Sequence, residues 1–173
     1  MIKISTHKVI QMEQAMNEHI KLVETFYKAF QKKDYKLMTE CYHPDVYFRD
    51  EAFELNGQQV GAMWHMLCER GADMKMSFSV NEDKGKVTAH WEPTYTFSQT
   101  GRFVHNIIDA KFEFKDGKII KHVDRFNFWR WSRQSLGLAG YFLGWTPILR
   151  KKVSKMASES LNKFIERHTE YKS

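Results

Sequence analysis

The sequence predicts an α+β fold, and three observations predict it. Helical spacing of apolar residues is concentrated before residue 70, strand-like alternation follows almost without interruption, and the turn signals between those strands are short enough to make hairpins. Helices first and an antiparallel meander afterwards give helices packed on one face of a curved sheet. In 8–32, Ile20, Val23, Phe26, Tyr27 and Phe30 recur at three and four, until Lys32-Lys33-Asp34 breaks the pattern. A second short helix, 35–41, runs into His43-Pro44-Asp45, where proline stops it. A strand over 46–50 and a turn at Asn56-Gly57 precede a helix over 58–70, with Val60, Met63, Trp64 and Leu67 on one side.

The strands follow. Met74, Met76, Phe78 and Val80 alternate with polar residues, then Val87, Ala89, Trp91, Tyr95 and Phe97 do so beyond a turn at 83–86. Pro93 in that run implies a bulge or an edge. A turn at 100–102 leads into a strand from Phe103 carrying Phe112 and Phe114. Lys115-Asp116-Gly117-Lys118 turns it back, so that Ile120, His122, Asp124, Phe126 and Phe128 share a face.

At 173 residues, 42% hydrophobic and 14% aromatic, the chain suffices for one compact domain with appendages. Its net charge of +6 is uneven: residues 131–173 hold eight Lys/Arg against three Asp/Glu, leaving residues 1–130 near neutral. That balance speaks against a nucleic-acid platform, despite the FNFWRWSR run. Cys41 and Cys68 lack metal or redox spacing, and neither a signal peptide nor a membrane span is expected, so a reduced, cytoplasmic protein is. His43, His65, His90, His105 and His122 show no HxH or HxxxH spacing, so no metal is expected. No cofactor is expected either, since dinucleotide, P-loop and nucleophile-elbow motifs are absent. Beyond Trp131-to-Trp145 and Pro147, the stripe Leu149, Val153, Met156, Leu161, Phe164 and Ile165 predicts an amphipathic helix. It docks on the domain, meets a second copy or touches a membrane.

Four segments, VETFYKAFQKKDYKLMTECY, YHPDVYFRDE, NGQQVGAMWHML and FEFKDGKIIKHVDRF, resemble the NTF2-like superfamily, above all the SnoaL-like polyketide cyclases, ketosteroid isomerase and limonene epoxide hydrolase. The resemblance covers roughly 17–130, dividing the chain into an NTF2-like domain (1–130) and a helical extension (131–173). It implies a cone: a bent antiparallel sheet around three helices, an apolar cavity at one end, and a homodimer joined through the sheet's outer face.

The resemblance also directs attention to particular residues. Asp50 ends the short strand where ketosteroid isomerase carries its base; that enzyme's tyrosine falls at Phe26, with Tyr27 one residue away, and its protonated aspartate at or near Asp109. Because the hairpin aligns in two registers, Asp109 faces either the cavity or the outside. With Phe26 in the tyrosine's place, steroid isomerisation is not expected. SnoaL-like cyclases and limonene epoxide hydrolase carry an acid/base aspartate in the last strand, which resembles HVDRF and points to Asp124. In a cavity lined by phenylalanines, desolvation would raise its pKa into the range of a neutral-pH acid or base, with His122 beside it. The alternative is an Asp–His or Asp–Arg125 pair that only holds the sheet. Epoxide hydrolysis lacks its arginine, since Arg102 is on a turn and Arg125 faces away, and lacks its Tyr/Asn pair at Tyr47 and Arg49. The expected ligand wall is Phe26, Tyr27, Tyr47, Trp64, Trp91, Phe112 and Phe126 around a small apolar molecule. Two functions stand: a cofactor-independent cyclase, isomerase or hydratase acting on a carbonyl-type ligand, with Asp124, His122, Asp50 and Asp109 as its ionisable groups, or a non-catalytic binding or interaction module.

Overall fold

The structure, a computed structural model, describes residues 6–172; the first five residues of the expected 1–130 unit lie outside it. The α1 helix (Thr6–Gln31) buries Val23, Phe26, Tyr27 and Phe30 along one stripe. It is followed by Lys33 at φ +58° and by Asp34, whose carboxylate accepts the Leu37 N–H to cap α2 (Tyr35–Glu40). The first strand, β1 (Tyr42–Arg49), begins four residues before the predicted one. A three-residue strand, β2 (Glu54–Asn56), lies where only a turn was expected, being too short to show alternation. Gly57, at φ +53°, then turns the chain into α3 (Gln58–Arg70), which buries Val60, Met63 and Trp64.

The remaining strands are β3 (Lys75–Asp83), β4 (Lys86–Phe97), β5 (Arg102–His105), β6 (Ile108–Lys115) and β7 (Lys118–Phe126). They form one open sheet in the order β2-β1-β7-β6-β4-β3, with β5 beside the far end of β4. Every pairing is antiparallel except β1 with β7. Pro93 marks neither an edge nor a bulge. It sits in central β4 opposite Asn106, accepts that residue's N–H at 3.0 Å and has no N–H to return. The single predicted strand is therefore split into β5 and β6, while the register continues unbroken across the gap.

The bulge lies elsewhere. Phe114 pairs with Ile119 but Glu113 pairs with Lys121, so Ile120 is the extra residue. Ile119 takes the inner face at 0% exposure, and His122 and Asp124 keep it; Ile120 does not share it, contrary to the uniform alternation expected. Phe128 also leaves the predicted face, because Asn127 accepts the Arg130 N–H at 2.9 Å and caps a helix there.

Three helices complete the chain: α4 (Phe128–Leu136), α5 (Leu138–Leu143) and α6 (Pro147–Arg167). Leu161 and Phe164 of α6 join the main core, each side chain contributing about 1.5–3 kcal/mol by leaving water. Leu149 joins Val104, Phe128 and Trp131 in a second cluster. Arg70 donates to Ser160 Oγ at 2.8 Å, and the Tyr171 hydroxyl meets His65 Nδ1 at 3.2 Å, tying the tail to α3.

Candidate active site

Between the inner face of the sheet, α3 and the tail lies a cavity of about 490 Å³, a volume suited to a small organic ligand. Trp64, Trp91 and Phe126 stand in its wall, and both Asp50 and Asp124 reach it. The tail closes another side with Trp131, Leu149, Val153 and Met156.

Asp50 follows the last residue of β1, in a turn of its own making. Its Oδ1 accepts the N–H groups of Ala52 at 2.7 Å and Phe53 at 2.6 Å, while its own N–H donates to the Phe53 carbonyl. Desolvation outweighs those hydrogen bonds, and the nearby Asp124 charge adds to it, so the Asp50 carboxyl is pushed up to about 7. Bonding to a ligand falls to Oδ2, since Oδ1 is occupied by backbone.

Asp124 is held from behind by a directional chain of hydrogen bonds. The Trp64 indole can only donate, and it donates to Tyr42 Oη at 3.0 Å. Tyr42 Oη meets His122 Nδ1 at 2.7 Å and His122 Nε2 meets Asp124 Oδ1 at 3.0 Å; where the neutral imidazole donates from Nε2 to the acceptor-only carboxylate, Nδ1 accepts the Tyr42 proton. Burial, then the Asp124 charge, raises the Tyr42 phenol well above its ordinary value, so Tyr42 keeps its proton. The His122 ring is fixed by Phe112 at 4.4 Å, with Phe48 at 5.2 Å and Phe26 at 5.6 Å edge-on. Fully buried, His122 stands behind the cavity wall. It orients Asp124 from there without touching a ligand.

The other predicted residues separate. Asp109 is on the outer face, opposite Arg125, with its side chain 75% exposed and bonded to His90 Nδ1 at 2.8 Å. Hydrogen bonds that His90 donates to the Asp109 and Glu92 carboxylates raise its pKa, and Glu92 also meets His105 at 2.7 Å. Tyr47 is outward as well, donating to Glu54 at 3.0 Å. Phe26, Tyr27 and Phe112 are core residues behind the wall rather than part of it. The Tyr27 hydroxyl and the Trp91 Nε1 are buried without a hydrogen-bond partner among the described residues. Arg125 is exposed and Arg102 bonds the Gln134 carbonyl, so neither reaches the carboxylates.

Sequence reasoning missed Tyr42, whose partner is 80 positions away, and the cavity residues Tyr95 and Asn106. For α6 the signal is the apolar stripe of Leu149, Val153 and Met156, for which docking on the domain is one of the three expected surfaces. The His65-x-x-x-Glu69 pair on α3 has the i, i+4 spacing of HxxxH with a carboxylate in place of the second histidine. With His168, these put three possible donor atoms within 4.8 Å of one another, outside the cavity.

The family model of the SnoaL-like domain matches residues 23–122. Bal32a, from a soil-derived mobile gene cassette, superposes with a TM-score of 0.58 at 21% identity, over 65% of this chain and 91% of that one. An LEH-like epoxide hydrolase of M. tuberculosis gives 0.55 at 18% identity, over 73% and 96%. TerC, co-crystallized with polyporic acid, gives 0.52 at 17% identity, over 63% and 91%. At these identities the likeness is one of fold. A search of curated proteins finds no match.

Proposed function

The chain belongs to the SnoaL-like domain family and has its NTF2-like cone, and from that premise we propose that it is a cofactor-independent enzyme moving protons on an apolar, carbonyl-containing ligand. The observation that carries the reading is the pair of carboxyl groups, Asp50 and Asp124, facing one apolar cavity of about 490 Å³. A carboxyl group at about 7 supplies the acid of such a pair near neutrality. Asp50 donates its proton toward the ligand's carbonyl oxygen while Asp124 removes the proton from the adjacent carbon. The enol so formed is reprotonated or closes onto a second carbonyl, which makes the outcome isomerisation or cyclisation. His122 is a positioning residue that keeps Asp124 in one orientation. The aromatic walls exclude water and hold the ligand flat against the two acids.

The test is deuterium uptake at the α-carbon of apolar cyclic ketones, 2-tetralone and anthrone among them, followed by NMR in D₂O. Wild type is expected to accelerate uptake, and Asp124→Asn to lose about a hundredfold or more of that acceleration with its melting curve unchanged. Equal uptake in the two proteins, or none above solvent for any ketone that binds, would sink the proposal and leave a binding module.

A further inference from the structure

The α4–α5 hairpin is built to display apolar side chains. At its closest approach only glycine fits: a Cβ at Gly140 would lie 1.8 Å from the Ser132 carbonyl oxygen, and one at Gly144 would lie 2.0 Å from Ser132 Oγ. The hairpin therefore packs backbone against backbone on its small-residue side, which turns its large side chains outward. Leu138, Phe142, Trp145 and Ile148 are between 65% and 80% exposed, with Tyr141 and Leu143 more than half exposed beside them. Such a cluster on a folded surface marks a contact site.

Charge identifies what the cluster meets. From Arg125 to Ser158 the chain has no Asp or Glu but seven Lys/Arg. Lys151, Lys152 and Lys155 are exposed on the first turns of α6, directly after Ile148. A two-fold contact with a second copy would set these cations against themselves. An anionic bilayer takes both features, with aromatic and aliphatic side chains entering the interface and lysines meeting the headgroups. No helix among the described residues is long and apolar enough to cross a membrane, so the contact is interfacial. The same elements frame the cavity, since Ala139 of α5 and Lys152, Val153 and Met156 of α6 line it.

We propose that the α5 helix and the start of α6 dock the protein on anionic membrane surfaces, and that the cavity exchanges its apolar ligand with the bilayer. The second clause rests on the ligand pocket proposed above; the docking does not. Full-length protein should sediment with phosphatidylglycerol-containing vesicles, bind phosphatidylcholine vesicles far less, and be released by salt. Phe142→Asp with Trp145→Asp should abolish sedimentation without lowering the melting temperature, because both side chains are exposed. Lys151→Gln with Lys155→Gln should weaken partitioning roughly thirtyfold. Wild type remaining in solution with both vesicles, or sedimenting undiminished with the Asp variants, would overturn the proposal. So would a vesicle-free dimer that the Asp variants convert to monomer, because the patch would then belong to a second copy. Asp124→Asn should sediment like wild type, so vesicle binding without turnover counts against the enzyme alone, and turnover without vesicle binding counts against the docking alone.

Discussion

Replacing Asp50 with asparagine should make the protein more stable, and increasingly so as pH rises. The folded state holds this carboxyl at about 7 against an ordinary 3.8, so between those values it binds a proton that the unfolded chain has released. Stability attributable to this group therefore falls as pH rises through that window. The full cost, about 4 kcal/mol, is reached above pH 7. Asparagine keeps the Oδ1 acceptor for the Ala52 and Phe53 N–H groups and has nothing to ionise. The gap between variant and wild type should be about 2 kcal/mol at pH 5 and about 4 kcal/mol at pH 8. At pH 8 that corresponds to roughly 8–16 °C in melting temperature for a chain of this size. Urea denaturation of both proteins at the two pH values measures it, and titrating groups that do not interact with Asp50 cancel in the difference. Curves that run parallel from pH 5 to pH 8 would refute the argument, and with it the role of Asp50 as the protonated partner.

Two buried tyrosines should answer the same substitution in opposite ways. Tyr42→Phe strands the Trp64 indole and His122 Nδ1, at a cost of about 2–4 kcal/mol in denaturant unfolding. Tyr27→Phe removes a hydroxyl without a partner and should be neutral or stabilising by about 1 kcal/mol. Gly140→Ala forces α4 and α5 apart and should cost about 2–3 kcal/mol, read as a lower melting temperature. Asp109→Asn should leave deuterium uptake within about twofold of wild type, because a solvent-facing carboxylate contributes little to distant chemistry.

Much of the fold is legible because its signals are local. The stripes of α1 and α3 and the alternation of β3 and β4 each declare a face within one element. His122 and Asp124 were legible for the same reason, two residues apart in phase with Phe126. What stayed hidden depends on pairs distant in sequence. Asp109 was ambiguous until β6 was registered against β4 and β7, and Tyr42 has no local mark that ties it to His122. Asp50 drew attention only through a resemblance, yet its carboxyl is the one driven toward neutrality, by burial that no neighbouring residue announces. The tail carried its own apolar stripe, but nothing in the stripe says that it closes a cavity.

The extra residue at Ile120 has a consequence for how this hairpin tolerates change. With Ile120 taken into a regular ladder, Lys121 and Val123 would point inward, and the carboxylate with its imidazole would be turned to the outside. With Ile120 removed altogether, Ile119, His122 and Asp124 would keep their partners. The strand thus carries one residue of slack, which can absorb a length change in the hairpin before it reaches the cavity. A one-residue deletion near the turn is absorbed there, leaving the groups that face the ligand on the same side of the sheet.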